Sequence, residues 1–329
     1  MKRRKRGVGL DGILLLDKAS GISSNQALQQ VKRLFNAAKA GHTGSLDPLA
    51  SGLLPVCFGQ ATRLAAFVLD RRKDYLVDIR LGHKTTTGDA EGEVILEGPV
   101  PHLSPEEVKA ILDRFTGPIK QIPPMYSALK RDGIRLYEYA RNGIEIERSA
   151  RAVNIYELDL LDCSGDRLTL RVSCSKGTYI RTLAEDIGDE IGCGGHVETL
   201  RRTAVGGFRI EVAWSFDRLQ ALTSEQRNEQ CLLPVDAAVS NWPRLELSRE
   251  SVRNASQGRV IEASDPLPEG WVRMYTLDSQ FFGIGQVLPN RRVAPRKVFL
   301  PSPNARSLSD LGETYCGGGK SVHISDHFR

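Results

Sequence analysis

The sequence lacks the patterns that mark several common classes of protein. No apolar run reaches the roughly 18 to 20 residues that cross a bilayer, which argues against a helical membrane protein. The six cysteines are scattered without a CxxC pair, which is typical of reduced thiols in the cytosol. Cys193 and His196 have a zinc-like spacing. Because zinc needs three or four ligands and no second pair accompanies them, a structural turn is favoured there.

Motifs for metal- or nucleotide-dependent catalysis are missing as well. The chain contains no HExxH motif and no glycine-rich phosphate loop, so we predict neither metal nor nucleotide as a cofactor. No internal repeat is visible. The basic start of the chain leads into a short apolar patch, but charge returns at Asp17 and no cleavage site follows. We therefore expect no signal peptide and a cytoplasmic protein.

The composition is that of a globular protein with a mild preference for anionic partners. The 329 residues are too many for one compact domain of usual size, and 40% of them are hydrophobic. The net charge is +5, and basic runs occur at residues 2–6, 71–73, 201–202 and 291–292. Such a run is more often a solvated face than a binding site, but several on one face would suit a phosphate backbone.

Hydrophobic periodicity predicts a mixture of strands and helices. Alternating apolar residues predict strands in DYLVDIRLG and RLTLRVSCS, and GILLLDK is predicted as the first strand. Ser23 and Ser24 can cap a following helix, and Ser104 forms a capping box with Glu107 before another. The segment KGTYIRTLAEDIGDEIG predicts a turn into a helix. Because strands and helices follow no regular alternation, we predict an α+β fold.

Changes in composition divide the chain into segments. Residues 1–244 form the main unit. Within it, residues 121–149 mix basic and aromatic residues with glycines, which indicates an insertion, named here the flap. Residues 245–301 are predicted to form a small β-rich unit. Residues 302–329 are rich in serine, glycine and polar residues, and we expect them to be flexible.

The stretch GHTGSLDPLASGLLPV contains a lone carboxylate, Asp47. Pro48 disfavours helical backbone at Asp47, and Gly44 and Gly52 allow a backbone or ligand to approach closely. Taken by itself, the motif favours an acid that caps a turn. A role as nucleophile would require a fixed cation that keeps the carboxylate ionised in a dry pocket.

Seven blocks, from residue 12 to about residue 301, resemble in order the bacterial TruB family of pseudouridine synthases. They are DGILLLDK, AGHTGSLDPLASGLLPVCFGQATR, KDYLVDIRLG, TTTGDAEG, IPPMYSALKRDGIRLYEYAR, CSKGTYIRTLAEDIG and GHVETLRRTAVGGF. One departure is Ala19 after Lys18, where the family has proline, so a rigid φ is lost. The resemblance implies a catalytic domain at residues 1–244 with a mixed, mainly antiparallel sheet and flanking helices. It also implies a PUA-like RNA-binding domain at residues 245–301.

The resemblance implies an activity that needs no metal or cofactor. Members of the family isomerise uridine 55 in the T loop of tRNA to pseudouridine. Asp47 matches the aspartate that attacks the nucleoside, after which the glycosidic bond breaks and uracil rejoins through carbon 5. Whether the sugar or the base is attacked is left open. Because the target base is stacked inside a folded loop, it has to be flipped out.

Further site residues are assigned by the resemblance. Tyr75 would stack on uracil, although alternation alone favours a core tyrosine. Arg181 would pair with Asp47, although a lone helix arginine is usually exposed. Asp89 would lie near the target base, although it could equally cap the turn at Gly88. His42 would enter the T loop, and the remaining candidates for the pocket or for RNA contacts are Tyr179, Leu200, Lys18 and Lys130.

The resemblance also predicts the partners of the chain. These are tRNA, recognised at its T stem-loop, with no membrane, no obligatory protein partner and a monomeric state. Two alternatives stay open. One is an RNA-guided synthase that works inside a complex. The other is a tRNA-folding chaperone, which needs the basic surface but not Asp47.

Overall fold

The computed structural model describes residues 7–263 and 266–299, and its strands form two principal sheets. Numbered in chain order, the strands are β1 Gly12–Lys18, β2 Ala40–His42, β3 Ser51–Phe58, β4 Lys73–Leu81, β5 His83–Thr85, β6 Val94–Glu97, β7 Gly117–Gln121, β8 Lys130–Arg131, β9 Ile134–Arg135, β10 Arg151–Ser164, β11 Arg167–Cys174, β12 Gly195–Val205, β13 Phe208–Arg209, β14 Trp214–Ser215, β15 Leu232–Leu233, β16 Arg244–Leu247, β17 Ile261–Glu262, β18 Gly270–Thr276, β19 Phe281–Leu288 and β20 Arg292–Val298.

Helices flank these strands throughout the described residues. The α-helices are α1 Ser24–Leu34, α2 Ala65–Leu69, α3 Pro105–Asp113, α4 Leu136–Arg141, α5 Ile180–Ile191, α6 Phe216–Gln220, α7 Ser224–Gln230 and α8 Arg249–Ser256. Short 3₁₀ turns occupy Gly59–Arg63, Ile210–Val212 and Val235–Val239. None of the helices in the described ranges is long and apolar enough to cross a membrane.

The large sheet has eleven strands, with the main order β14-β1-β3-β12-β4-β11-β10-β7. Strand β1 runs parallel to β14, and β3 runs parallel to β12. The other pairings of this sheet are antiparallel. The predicted α+β fold with a mixed, mainly antiparallel sheet and flanking helices is therefore confirmed.

Local sequence signals explain the elements that surround the site. In β4 the alternation buries Tyr75, Val77, Ile79 and Leu81 on the face that packs against α3 and α5. Helix α1 begins with a capping box in which Ser23 is the N-cap, and α3 begins with the predicted box of Ser104 and Glu107.

Gly52 allows β3 and β12 to run side by side. Its φ is +101°, and a Cβ atom placed there would lie 2.3 Å from the carbonyl oxygen of Arg202. A side chain at this position would therefore collide with backbone. The prediction that Gly52 permits close approach of another backbone is confirmed.

A five-stranded sheet forms the C-terminal unit, in the order β16-β18-β19-β20-β17, with α8 packed beside it. It shares an apolar core with the large sheet, since Ile284 and Phe299 pack in one cluster with Leu53 and Leu64. The β-rich character predicted for this region is confirmed. The boundary at residues 244 and 245 stays a prediction, and residues 302–329 lie outside the described residues.

The flap is short of regular structure. Strands β8 and β9 form a two-stranded hairpin, and α4 follows directly. Most of its side chains are exposed, including those of Lys130, Arg131 and Arg141. It is joined to the rest of the chain chiefly by polar contacts near its beginning, which belong to the site described next.

Candidate active site

Asp47 lies in the loop between β2 and β3. Its backbone carbonyl accepts a hydrogen bond from the N–H of Ala50 at 3.1 Å, which closes a turn. Its side chain points elsewhere, and Oδ2 lies 2.9 Å from Nε of Arg181. The side chain of Asp47 is 42% exposed, whereas that of Arg181 is 5% exposed. The turn interpretation thus describes the backbone only, and the carboxylate is both accessible and ion-paired.

Arg181, in the first turn of α5, bonds to three other segments of the chain. Besides Asp47, its Nε lies 3.7 Å from Oδ2 of Asp89. Nη1 donates to the carbonyl of Thr87 at 2.9 Å, and Nη2 donates to the carbonyl of Tyr126 in the flap at 2.8 Å. This use of the rigid guanidinium fork requires arginine rather than lysine. The alternative of an exposed helix arginine is wrong.

Burial and the neighbouring cations act in opposite directions on the pKa of Asp47. Burial raises the pKa of Asp47 above its usual value, and the nearby Asp89 raises it further. Arg181 and Lys18 act in the predicted direction and lower the pKa, but they do not outweigh burial. Arg181 therefore orients the carboxylate and partly offsets the cost of ionising it.

Asp89 lies in the loop that follows β5 and is almost fully buried. Its Oδ1 accepts hydrogen bonds from Oγ1 of Thr87 at 2.5 Å and from the N–H of Glu91 at 3.2 Å, as in a turn cap. Its Oδ2 faces Arg181. The turn and the site interpretations are therefore compatible, because the two oxygens of one carboxylate serve different partners.

Tyr75 and Leu200 come from adjacent strands, β4 and β12, and share one apolar cluster with Leu46, the residue before Asp47. Burial raises the pKa of Tyr75 to about 12. The phenol is therefore neutral at physiological pH, and any part it takes in moving a proton is that of a hydrogen-bonding hydroxyl. The ring is a core side chain at the edge of the site.

His42 and Tyr179 come from different elements, β2 and the start of α5. His42 ends β2 and is partly buried, and its Nδ1 has no hydrogen-bond partner among the described residues. Burial, followed by the charge of Arg202, lowers the pKa of His42, which keeps the imidazole neutral near pH 7. Tyr179 is the N-cap residue of α5, and its backbone exchanges two hydrogen bonds with the side chain of Gln121 at 3.0 and 3.2 Å.

The two lysine candidates occupy very different places. Lys18 is 1% exposed, and its Nζ donates to the carbonyls of Ala19 at 2.9 Å, Ile22 at 2.6 Å and Pro48 at 3.4 Å. Burial lowers the pKa of Lys18 to about 8. Lys18 therefore belongs to the wall beneath Asp47 and not to an RNA-facing surface. Lys130 is exposed on the flap hairpin, away from these carbonyls.

Each of two basic runs contains one residue that is buried in the interior. Arg202 is 1% exposed and Lys73 is buried as well, so neither belongs to a solvated face or to a phosphate-binding one. Arg201 forms two hydrogen bonds with Asp17, at 2.8 and 3.1 Å. The run at residues 291–292 is exposed at the turn between β19 and β20, and the run at 2–6 lies outside the described residues.

Arg202 is a residue that the sequence interpretation missed. Its guanidinium donates to the carbonyls of Leu53 at 2.7 Å, Gly44 at 3.2 Å and Ser45 at 3.3 Å. A signal was present, because the alternation of β12 puts Arg202 on the same buried side as Leu200 and Ala204.

The zinc-like pair lies in a turn. The N–H groups of Cys193 and Gly194 both donate to the carbonyl of Gly188, as at a helix C-terminus. Nδ1 of His196 lies 3.1 Å from the carbonyl of His83. Within the described ranges, no group of three or more histidine, cysteine, aspartate or glutamate residues could hold a metal ion.

Comparison with known proteins accounts for nearly the whole chain. The profile of the TruB family pseudouridylate synthase (N terminal domain) matches residues 32–180. The profile of the tRNA pseudouridylate synthase B C-terminal domain matches residues 181–240, and that of pseudouridine synthase II TruB, C-terminal, matches residues 243–299. The chain is similar to the tRNA pseudouridine synthase B of Nitrosococcus oceani, with 48% identity over 91% of this chain and 98% of that protein. It is 49% identical to the protein of the same name from Chromohalobacter salexigens, over 91% of this chain and 97% of that protein.

Solved structures agree with this fold. A chain in the crystal structure of a Cbf5-Nop10-Gar1 complex is 25% identical, with a TM-score of 0.67 over 88% of this chain and 85% of that one. A chain in a structure of an H/ACA RNP bound to a substrate RNA containing 2'-deoxyuridine has a TM-score of 0.66 at 22% identity, over 94% of each chain. With family profiles along its length and relatives near 50% identity, the chain belongs to the TruB family of pseudouridine synthases.

Proposed function

We propose that this pseudouridine synthase acts on tRNA and converts uridine 55 of the T loop to pseudouridine, with Asp47 as the nucleophile. The observation that carries the proposal is the accessible carboxylate of Asp47, 2.9 Å from the buried Arg181 guanidinium. The relatives that cover almost the whole chain bear the name tRNA pseudouridine synthase B.

The reaction rearranges one nucleoside without an added group. The Asp47 carboxylate attacks the nucleoside, and the bond between C1′ and N1 breaks. A bond between C1′ and C5 then forms, the bond to Asp47 breaks and frees the carboxylate, the proton at C5 leaves, and N1 gains a proton. Because the freed uracil must stay in place between the two bonds, positioning supplies much of the rate enhancement.

Each residue around Asp47 has a separate role in this reaction. Tyr75 stacks on the flipped uracil and Leu200 packs beside it, since both come from the apolar cluster next to the site. Arg181 orients Asp47, with Asp89 as the second carboxylate on the same guanidinium. Tyr179 and Lys18 complete the pocket wall, and His42 enters the T loop.

RNA contacts extend beyond the pocket. Lys130 and the exposed arginines of the flap reach the phosphate backbone, and the tyrosines of the flap offer stacking surfaces. The PUA-like unit at residues 245–301 contacts the RNA helix or the acceptor end. We expect the enzyme to be a cytoplasmic monomer that needs no protein partner.

Two alternatives are weaker. The first is an RNA-guided synthase. The matching chain of the Cbf5-Nop10-Gar1 complex is 25% identical to this chain, whereas the tRNA pseudouridine synthase B relatives are 48 to 49% identical to it. A tRNA-folding chaperone would need the RNA surface without the chemistry. The position of Asp47 against Arg181 is explained by the enzyme and not by a chaperone.

Tritium release from tRNA labelled at carbon 5 of uridine tests the proposal. The wild-type protein should release a stoichiometric amount from uridine 55 without cofactor and with chelator present, whereas Asp47→Asn should release none and still bind tRNA. Asp70→Asn is the matched control, because Asp70 is an exposed partner of Lys176. Tritium release by Asp47→Asn at the wild-type rate would show that Asp47 is not the nucleophile. No release by the wild-type protein or by either variant would favour the chaperone.

A further inference from the structure

The backbone on both sides of Asp47 is held by groups from outside its loop. Five carbonyls, at residues 44, 45, 46, 48 and 49, accept hydrogen bonds from such groups. Arg202 donates to the carbonyls of Gly44 and Ser45, and Ser24 donates to that of Leu46. Gly21 and Lys18 both donate to the carbonyl of Pro48, and Ser20 donates to that of Leu49. The peptide that carries the nucleophile is therefore tied to the protein on either side.

Arg202 approaches this loop from the centre of the large sheet. In β12 it is in register with Tyr75 of β4 on one side and with Gly52 of β3 on the other. Since Gly52 has no side chain, β3 and β12 approach closely at this point, and the guanidinium of Arg202 reaches the carbonyls of Gly44, Ser45 and Leu53. Its side chain thus joins the two ends of the loop that contains Asp47.

Ser24 approaches the same loop from the beginning of α1. It is buried, and its hydroxyl donates to the carbonyl of Leu46 at 3.0 Å while accepting from the N–H of Leu46 at 2.7 Å. The neighbouring Ser23 is the N-cap of α1, so helix capping does not depend on Ser24. Ser24 is therefore free to bind the residue that precedes Asp47.

We propose that Arg202 and Ser24 are positioning residues that hold the backbone of residues 44–46 and thereby fix the Asp47 carboxylate against Arg181. This inference rests on the proposed role of Asp47 as nucleophile. Neither side chain is assigned any contact with uridine. Ser24 acts through the place of the Asp47 carboxylate, whereas Arg202 also contacts its register partner Tyr75. A shift of about 1 Å in the carboxylate can cost on the order of a hundredfold in rate.

The variants Arg202→Lys and Ser24→Ala test this inference. Lysine keeps the positive charge but lacks the planar fork that reaches three carbonyls, and alanine removes a single hydroxyl. With saturating tRNA labelled at carbon 5, we expect the single-turnover rate of Arg202→Lys to fall about tenfold or more, and that of Ser24→Ala to fall less. The dissociation constant for tRNA should stay within about twofold of wild type, because neither side chain contacts RNA.

The adjacent residues supply matched controls. Arg201→Lys alters an arginine whose partner is Asp17, and Ser23→Ala alters a helix cap. Both should keep the wild-type single-turnover rate. A second measurement is the rate against pH. A carboxylate moved away from Arg181 is harder to ionise, so the acid limb should shift to higher pH in Arg202→Lys and Ser24→Ala and stay in place in the two controls.

Two outcomes separate this inference from the proposed function. Wild-type rates and pH profiles in both Arg202→Lys and Ser24→Ala, with Asp47→Asn inactive, would overturn the positioning role alone. Activity in Asp47→Asn would overturn the nucleophile itself. Circular dichroism verifies that each variant is folded, and Ser24→Ala decides the matter if Arg202→Lys does not fold.

Discussion

Apart from Gln121, which ends β7, the flap lies outside the large sheet, as does the C-terminal unit, but different contacts join them to it. The C-terminal unit shares an apolar cluster with β1, β3 and α2. There the ring of Phe67 packs edge-on against Trp271 of this unit at 5.0 Å and against Trp242, just before the unit, at 4.9 Å. The flap is joined by the hydrogen bonds of Gln121 to Tyr179 and by that of Arg181 to the carbonyl of Tyr126.

This difference has a functional meaning. Buried apolar contacts supply most of the free energy of folding, whereas a hydrogen bond contributes a net amount on the order of 1 kcal/mol. The C-terminal unit is therefore fixed relative to the large sheet. The flap is joined by a few hydrogen bonds, and one of them comes from Arg181, the arginine that binds Asp47. Changes at the two junctions should accordingly affect different measurements.

The largest effect is expected from Phe67→Ala at the junction of the C-terminal unit. Truncation removes both contacts with tryptophan from a partly buried ring, so the free energy of unfolding should fall by about 2 kcal/mol. Urea denaturation measures this loss. Leu277→Ala is the control, because Leu277 belongs to the same unit but is 62% exposed. A loss below about 1 kcal/mol for Phe67→Ala would show that the aromatic contacts do not hold the unit in place.

A smaller effect on stability, but a clear one on catalysis, is expected from Gln121→Ala at the junction of the flap. The free energy of unfolding should fall by about 1 kcal/mol. The single-turnover rate should fall about tenfold, because the end of β7, where the flap begins, is no longer bonded to Tyr179 at the start of α5. The exposed neighbour Lys120→Ala should change neither quantity. A rate that stays at the wild-type value would show that the flap and the site are not coupled through Gln121.

The smallest effect is expected from Asp47→Asn, on the way the free energy of unfolding depends on pH. The folded state raises the pKa of Asp47, so it holds that proton more tightly than the unfolded chain does. The stability from this group is present below the unfolded pKa and is lost as the pH rises through the folded pKa. Asp47→Asn carries no such charge, so its stability relative to wild type should be greater at pH 7 than near pH 4.

Urea denaturation at several pH values measures this difference. Values below about pH 3 are an internal control, because this lies under the unfolded pKa and residue 47 is then close to neutral in both proteins. A difference that stays constant, or that is greatest in acid, would show that ionised Asp47 does not destabilise the fold. The expected result would mark the site as a place where function opposes stability, in contrast to the junction of the C-terminal unit.

Much of the fold could be predicted because its signals are local. The alternation in β4 and β11 and the serines that precede α1 and α3 each act within a few residues. The pairing of Asp47 with Arg181 could not be predicted from spacing, because the two residues are far apart in sequence. That pairing came from the family resemblance, which implied it residue by residue.

The interior basic residues show where local reasoning fails. A basic run such as residues 201–202 predicts a solvated or phosphate-binding face, because such residues are usually exposed, and the resemblance makes Lys18 a candidate for the pocket or for RNA contacts without choosing between them. The partners of Arg202 and Lys18 are carbonyl groups in the loop and turn around Asp47, which the strands and helices leave without bonds. The position of β3 beside β12 and the path from β1 into α1 determine which carbonyls need a donor. Neither is known before the tertiary structure is known.

The absence of a side chain at Gly52 also limits how this enzyme can evolve. Since the carbonyl of Arg202 occupies the space where a Cβ atom would stand, no other residue fits unless β12 moves. Leu200 and Arg202 would move with that strand, together with the loop bound to the arginine. A lineage can therefore alter the outer surface of the pocket step by step, whereas the contact between these two strands can change only through several simultaneous mutations.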